Sequence, residues 1–175
     1  MALHNFATWL YATAPSVFIR SHEAWMIPTI QSVHIVGIAT AVGSAFMMAA
    51  RVLGWLGADQ SLLDTQRRYG PWLTGALWVL LASGALLVLA EPPREFDTIS
   101  FWVKMALVAL MAMTAFAFQR SLRRHAPQWE TDVQRRPSVR WAALVTLVVW
   151  AAIIFLGRFI AYDTVWSHVL PRIKA

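Results

Sequence analysis

Residues 24–50 read AWMIPTIQSVHIVGIATAVGSAFMMAA, a run of 27 residues without a charge between Glu23 and Arg51. About 20 predominantly apolar residues suffice for a helix to cross the hydrocarbon core of a bilayer, so this run predicts a transmembrane helix. Three further segments repeat the pattern. Tyr69 to Ala90 is uncharged, with Arg67-Arg68 before it and Glu91-Pro92-Pro93 after it, where the prolines stop a helix. A third runs from about Ser100 to Gln119 with Lys104 as its one charge, and a fourth from Trp141 through Gly157 with Arg158 near its far end. The expected fold is an all-α integral membrane protein. It forms a single membrane domain, a four-transmembrane-helix bundle with spans of about 26–50, 71–90, 100–119 and 141–161.

Composition points the same way. Of 175 residues, 58% are hydrophobic and 14% charged, far from the make-up of a soluble domain of this length. The absence of cysteine excludes disulfides, thiolate metal sites and thiol redox chemistry. A net charge of +6 would suit nucleic acid, but the basic residues sit beside the apolar segments, where they set membrane orientation, and no nucleic-acid partner is expected. No phosphate loop, zinc-protease helix or serine triad signature is present.

The loop between the third and fourth segments holds Arg120, Arg123, Arg124, Arg135, Arg136 and Arg140 against Glu130 and Asp132. The loop between the second and third holds Glu91, Glu95 and Asp97 against Arg94. By the positive-inside rule the arginine-rich loop is cytoplasmic, which puts both termini outside, in a periplasm. The expected location is thus a bacterial inner membrane. Tryptophans mark the same boundaries: Trp25, Trp102 and Trp166 at outer ends, Trp55, Trp72 and Trp141 at inner ends. Residues 3–22 are too short and irregular to span, but Leu3, Phe6, Trp9 and Leu10 recur at helical spacing. A short amphipathic helix on the outer surface is expected there.

His34 is the one histidine inside any of the four segments, and an ionisable group at that depth ordinarily faces a partner, a cofactor or water. With the outer boundary near Trp25, it sits about 12–14 Å below it at 1.5 Å per residue. Gln31, His34, Gly37, Ala41, Ser44 and Met48 share one small, polar helix face, expected to point inward. Lys104 and Arg158 belong to the same outer half. One arrangement uses all three: a b-type haem with His34 as the iron ligand and Lys104 and Arg158 paired to the propionates. Against it stand the bland roles, a cross-helix hydrogen bond for His34 and snorkelling to the headgroups for the two cations. A second axial ligand must come from elsewhere: His22 before the first span, His168 after the fourth, more weakly His4, or Met26, Met105 or a partner chain. Five-coordinate haem is the remaining option. A soft Cu(I) path through methionines and His34 is a rival, and the outer-loop acids read as solvated charge.

Several pieces together resemble a family of small bacterial four-helix membrane proteins without an assigned function, itself distantly similar to four-helix b-type cytochromes. They are His34-Ile-Val-Gly37, Arg51-Val-Leu-Gly54 at the end of the first span, Pro71-Trp72 opening the second, Phe101-Trp-Val-Lys104-Met105 opening the third, and Gly157-Arg158. The family pattern implies an acid two positions before the arginine, where Ala49 stands here. The resemblance implies fold and membrane location, and by analogy haem binding. The expectation carried forward is a haem b electron-transfer subunit near the periplasmic face, working as an oligomer or with a partner redox protein, with quinone as a candidate donor or acceptor. A cofactor-free scaffold subunit is the alternative, and a small copper or proton transporter the third.

Overall fold

A computed structural model describes residues 2–57 and 59–161 of the chain. His168 and Trp166 lie outside the described residues. The fold is all-helical: α1 (Ala2–Tyr11), α2 (Ala14–Ser21), α3 (Glu23–Leu53), α4 (Leu62–Ala90), α5 (Pro92–Phe96), α6 (Ile99–Arg124), α7 (Ala126–Arg135) and α8 (Pro137–Ala161). Four of these, α3, α4, α6 and α8, are long and apolar enough to cross a membrane, and each contains one expected span. Their surfaces carry aliphatic and aromatic side chains that a water-soluble protein would bury. Val36 is 65% exposed, Met113 62%, Val148 68% and Phe155 65%, as expected of helices whose outer faces meet lipid.

Proline and glycine place the helix boundaries. α4 ends at Ala90, and Pro92-Pro93 then open α5 at the positions where a missing N–H costs nothing. α7 and α8 likewise begin with Pro127 and Pro137 in their first two positions. α3 closes in a Schellman motif: Trp55 N–H donates to the Ala50 carbonyl at 2.9 Å and Gly54 N–H to the Arg51 carbonyl at 3.1 Å. Gly54 takes the left-handed φ of +76° that this ending requires. The amphipathic N-terminal segment is two helices rather than one, because Pro15 has no N–H to continue the ladder from Tyr11. The Tyr11 carbonyl instead accepts from Arg20 Nη2 at 2.7 Å, and the guanidinium lies 3.3 Å over the Tyr11 ring.

The chain divides into two compact units. Among the described residues the first comprises 2–37, 79–106 and 153–161, the second 38–57, 59–78 and 107–152. In the first, α1 packs on α5, with Phe6 edge-on to Phe96 at 5.8 Å and His4 Nδ1 3.2 Å from Asp97 Oδ2. Gly37 of α3 lets α4 approach closely, since a Cβ there would stand 3.1 Å from Leu80.

The second unit is organised around Val52, Leu62, Leu122 and Val133, with Phe118 and Trp129 packed against them. α4 begins at Leu62, nine residues before Pro71, because Ser61 caps it. Asp64 N–H donates to Ser61 Oγ at 3.0 Å, and the hydroxyl donates to the Asp64 carboxylate at 2.6 Å. The arginine-rich loop folds as α7, whose Glu130 accepts from Arg51 Nη2 at 3.1 Å and from the Leu62 N–H. Arg51 also donates through Nε to the Gln60 carbonyl at 2.6 Å. The acid that Ala49 does not provide thus arrives from α7. Deeper in this unit Gln66 Nε2 faces Gln119 Oε1 at 3.4 Å, in space that exists because residue 70 is glycine. A Cβ at Gly70 would stand 2.6 Å from Gln66 Nε2. The outer atoms of this amide pair, Gln66 Oε1 and Gln119 Nε2, are buried without a hydrogen-bond partner among the described residues.

Candidate functional site

His34, on α3 in the first unit, is half-buried. Its Nδ1 lies 2.8 Å from Ser83 Oγ on α4. Ser83 Oγ also lies 2.6 Å from the Val79 carbonyl, an acceptor only, so the hydroxyl proton is committed there and Oγ is left to accept. His34 therefore donates from Nδ1, and Nε2 keeps its lone pair. Gly84, next to Ser83, leaves room for the ring: a Cβ there would touch His34 Cε1 at 3.5 Å. Reading the sequence alone does not single out Ser83 or Gly84. Their signal is the small pair Ser83-Gly84 inside an otherwise bulky apolar run.

The inward face expected on α3 is inward over most of its length. Gly37, Ala41, Ser44 and Met48 are buried and His34 half-buried, whereas Gln31 is exposed and takes no part in a buried site.

Lys104, on α6, is half-buried within the same unit and reaches α8. A Cβ at Gly157 would stand 3.5 Å from its Nζ. The Lys104 charge acts on both His34 and Glu95. Arg158 follows Gly157 and is exposed. The first unit therefore joins His34 to Ser83 and sets Lys104 against Gly157, with Arg158 the exposed residue that follows.

Glu95 is a member that sequence reasoning passed over. The acids between α4 and α6 divide by environment. Glu91 is an exposed partner of Arg94 at 2.6 Å, and Asp97 is held by His4. Glu95, on the short α5, is half-buried. Burial raises its carboxyl above the ordinary carboxylate range, the positive charges of Lys104 and Arg94 draw it back down, and Glu91 opposes them. The expectation of fully solvated acids therefore fails at this residue.

His22 is not brought to His34. It caps α2, is exposed, and its Nδ1 is 3.0 Å from both the Phe18 carbonyl and Ser21 Oγ. Twelve residues of nearly continuous helix separate it from His34, roughly 18 Å at 1.5 Å per residue, whereas two axial nitrogens on one iron lie about 4 Å apart. His4 is engaged with Asp97, Met105 is 39% exposed, and Met26 is half-buried. Among the described residues no group of three His, Asp or Glu side chains gathers as a metal site.

The family of unknown function DUF6644 matches residues 18–163, which take in His34, Ser83, Lys104, Arg158 and all of α3 to α8. The chain belongs to this family. No curated protein and no solved structure matches it.

Proposed function

We propose that this DUF6644 member is a haem-bearing electron-transfer subunit of a bacterial inner membrane, with His34 as the iron ligand through Nε2 and both termini on the periplasmic side. The observation that carries the reading is the orientation of His34. A metal-ligating histidine characteristically donates its other ring N–H to a fixed acceptor, which sets the tautomer and aims the lone pair. Ser83 Oγ, with its own proton committed to Val79, does this for His34.

The donor set suits haem b in two further respects. Propionates beside hydrocarbon need cations, and Lys104 and Arg158 belong to the same unit as His34. The described residues offer one imidazole at this depth, so the reading is of a single protein ligand from this stretch of chain. Bound haem would supply one-electron carriage. The chain's residues would fix its iron, balance its carboxylates and keep water from its face. Quinone or a larger membrane complex on one side and a periplasmic redox protein on the other are the partners this role requires.

A second reading draws on the same contact. The His34–Ser83 bond and the close approach of Gly37 to Leu80 also lock α3 to α4, which is what a cofactor-free scaffold subunit needs. The test is a reduced-minus-oxidised visible spectrum of the detergent-purified protein, with pyridine haemochrome quantification, repeated on His34→Ala. Near-stoichiometric haem in the wild type and its loss from a folded variant support the haem reading. A flat spectrum from haem-replete cells overturns it, and loss of assembly in the variant then favours the scaffold.

A further inference from the structure

The arginine-rich end of the second unit carries a groove of about 300 Å³ between the end of α3 and the first turns of α8. Leu53 and Leu144 give it apolar walls, and the indoles of Trp55 and Trp141, 56% and 66% exposed, flank it. Arg140 supplies its one charge. Its Nη2 donates at 3.0 Å to the carbonyl of Leu53, one of the last carbonyls that a helix leaves unpaired, and this holds the guanidinium at the groove.

Three acids of this region are otherwise engaged. Glu130 pairs with Arg51, Asp132 with Arg136 and Asp64 with Arg67. Arg140 has no carboxylate within ion-pair distance among the described residues, so its remaining donors face the groove's surroundings without a protein anion. A planar guanidinium is well matched to phosphate oxygens, and indoles favour the headgroup level of a bilayer. The volume sits at the bottom of the roughly 300–1,000 Å³ range of small-molecule pockets. That is room for a headgroup. Beyond it Trp141, Val145 and Val148 follow four- and three-residue spacing on α8, and the two valines are 55% and 68% exposed.

We infer that this groove is a binding site for an anionic phospholipid, its phosphate on Arg140 and one acyl chain along the Trp141–Val145–Val148 strip. Inorganic phosphate would use the guanidinium and leave the strip without a purpose. The site is independent of any haem at His34.

The test is native mass spectrometry of the full chain in detergent supplemented with phosphatidylglycerol, phosphatidylcholine or inorganic phosphate. The wild type should retain phosphatidylglycerol in preference to phosphatidylcholine, and excess inorganic phosphate should not displace it. Arg140→Gln should lower retention about fivefold, the factor for one basic contact near an anionic surface. Trp141→Ala, which leaves the Arg140–Leu53 bond intact, should lower it too and serves if Arg140→Gln fails to fold. Arg124→Gln, an exposed charge outside the groove, should leave it unchanged. Equal retention of the two lipids, displacement by phosphate, or an equal loss in Arg124→Gln would overturn the assignment.

Discussion

Glu130→Ala removes two contacts at once, the Arg51 guanidinium at 3.1 Å and the Leu62 N–H at the start of α4. The Arg51 side chain is 12% exposed and that of Glu130 31%. The pair is therefore neither a surface bridge, worth about 0–1 kcal/mol, nor a fully dry one, whose rupture costs about 3–5 kcal/mol. Arg51 keeps the Gln60 carbonyl, which limits the loss on that side. Leu62 is 3% exposed, so water replaces the carboxylate poorly at its N–H. Together these place the cost at about 2–4 kcal/mol. At about 2–4 °C per kcal/mol for a chain of this size, Tm should fall by roughly 5–15 °C. The assay is thermal unfolding of the detergent-purified protein within a double-mutant cycle that includes Arg51→Met. The two changes should couple by at least about 1 kcal/mol, since each removes what makes the other costly. Additivity within about 0.5 kcal/mol would show that Arg51 and Glu130 do not act on one another, and would refute the account of how α7 is held.

Gly70→Ala drives a methyl group to 2.6 Å from Gln66 Nε2 and should cost about 1–3 kcal/mol by separating the amide pair, read as a lowered Tm. Gln66→Met with Gln119→Met should by contrast be neutral or stabilising, because it removes two buried atoms that have no partner along with the bond they flank. Burial raises the Glu95 carboxyl, so the folded chain binds this proton more tightly than the unfolded one. The resulting stability is fully present below the ordinary carboxylate pKa and declines as pH rises through the raised value. Glu95→Gln should flatten that decline in a Tm series from about pH 4 to 8. If the haem reading holds, Ser83→Ala frees the His34 tautomer and should weaken haem retention about 10-fold or more, measured by haem titration of the apoprotein.

The four long helices were legible because an apolar run of about 20 residues with at most one charge is the length and character a bilayer demands. Pro71-Trp72, in contrast, reads as a helix start. The structure places Pro71 inside α4, because Ser61, Asp64 and Glu130 secure an earlier beginning. α7 was hidden for a related reason. Its sequence is polar, and it becomes a packed element through Trp129 and Val133, which meet Val52, Leu62 and Leu122 from distant parts of the chain. His34 and Lys104 stood out because an ionisable group inside an apolar run is rare. Their neighbours Ser83, Gly84 and Gly157 are common helix-packing residues, and only the folded arrangement separates those that touch His34 or Lys104 from those that merely let helices meet. Glu95 was passed over because three acids in one short loop look alike until α5 gives each a different environment.

Arg51 and Glu130 lie 79 residues apart in the chain. At synthesis rates of about 5–20 residues per second, the arginine exists for some 4–16 s before its acid has been made. During that interval the guanidinium has not yet met the carboxylate that ties it to α7. Arrival of α7 then neutralises it and closes the start of α4 in the same event. One late-made carboxylate in this way fastens two earlier-made helix ends, the last turn of α3 and the first of α4. A chain released before residue 130 would lack both ties at once.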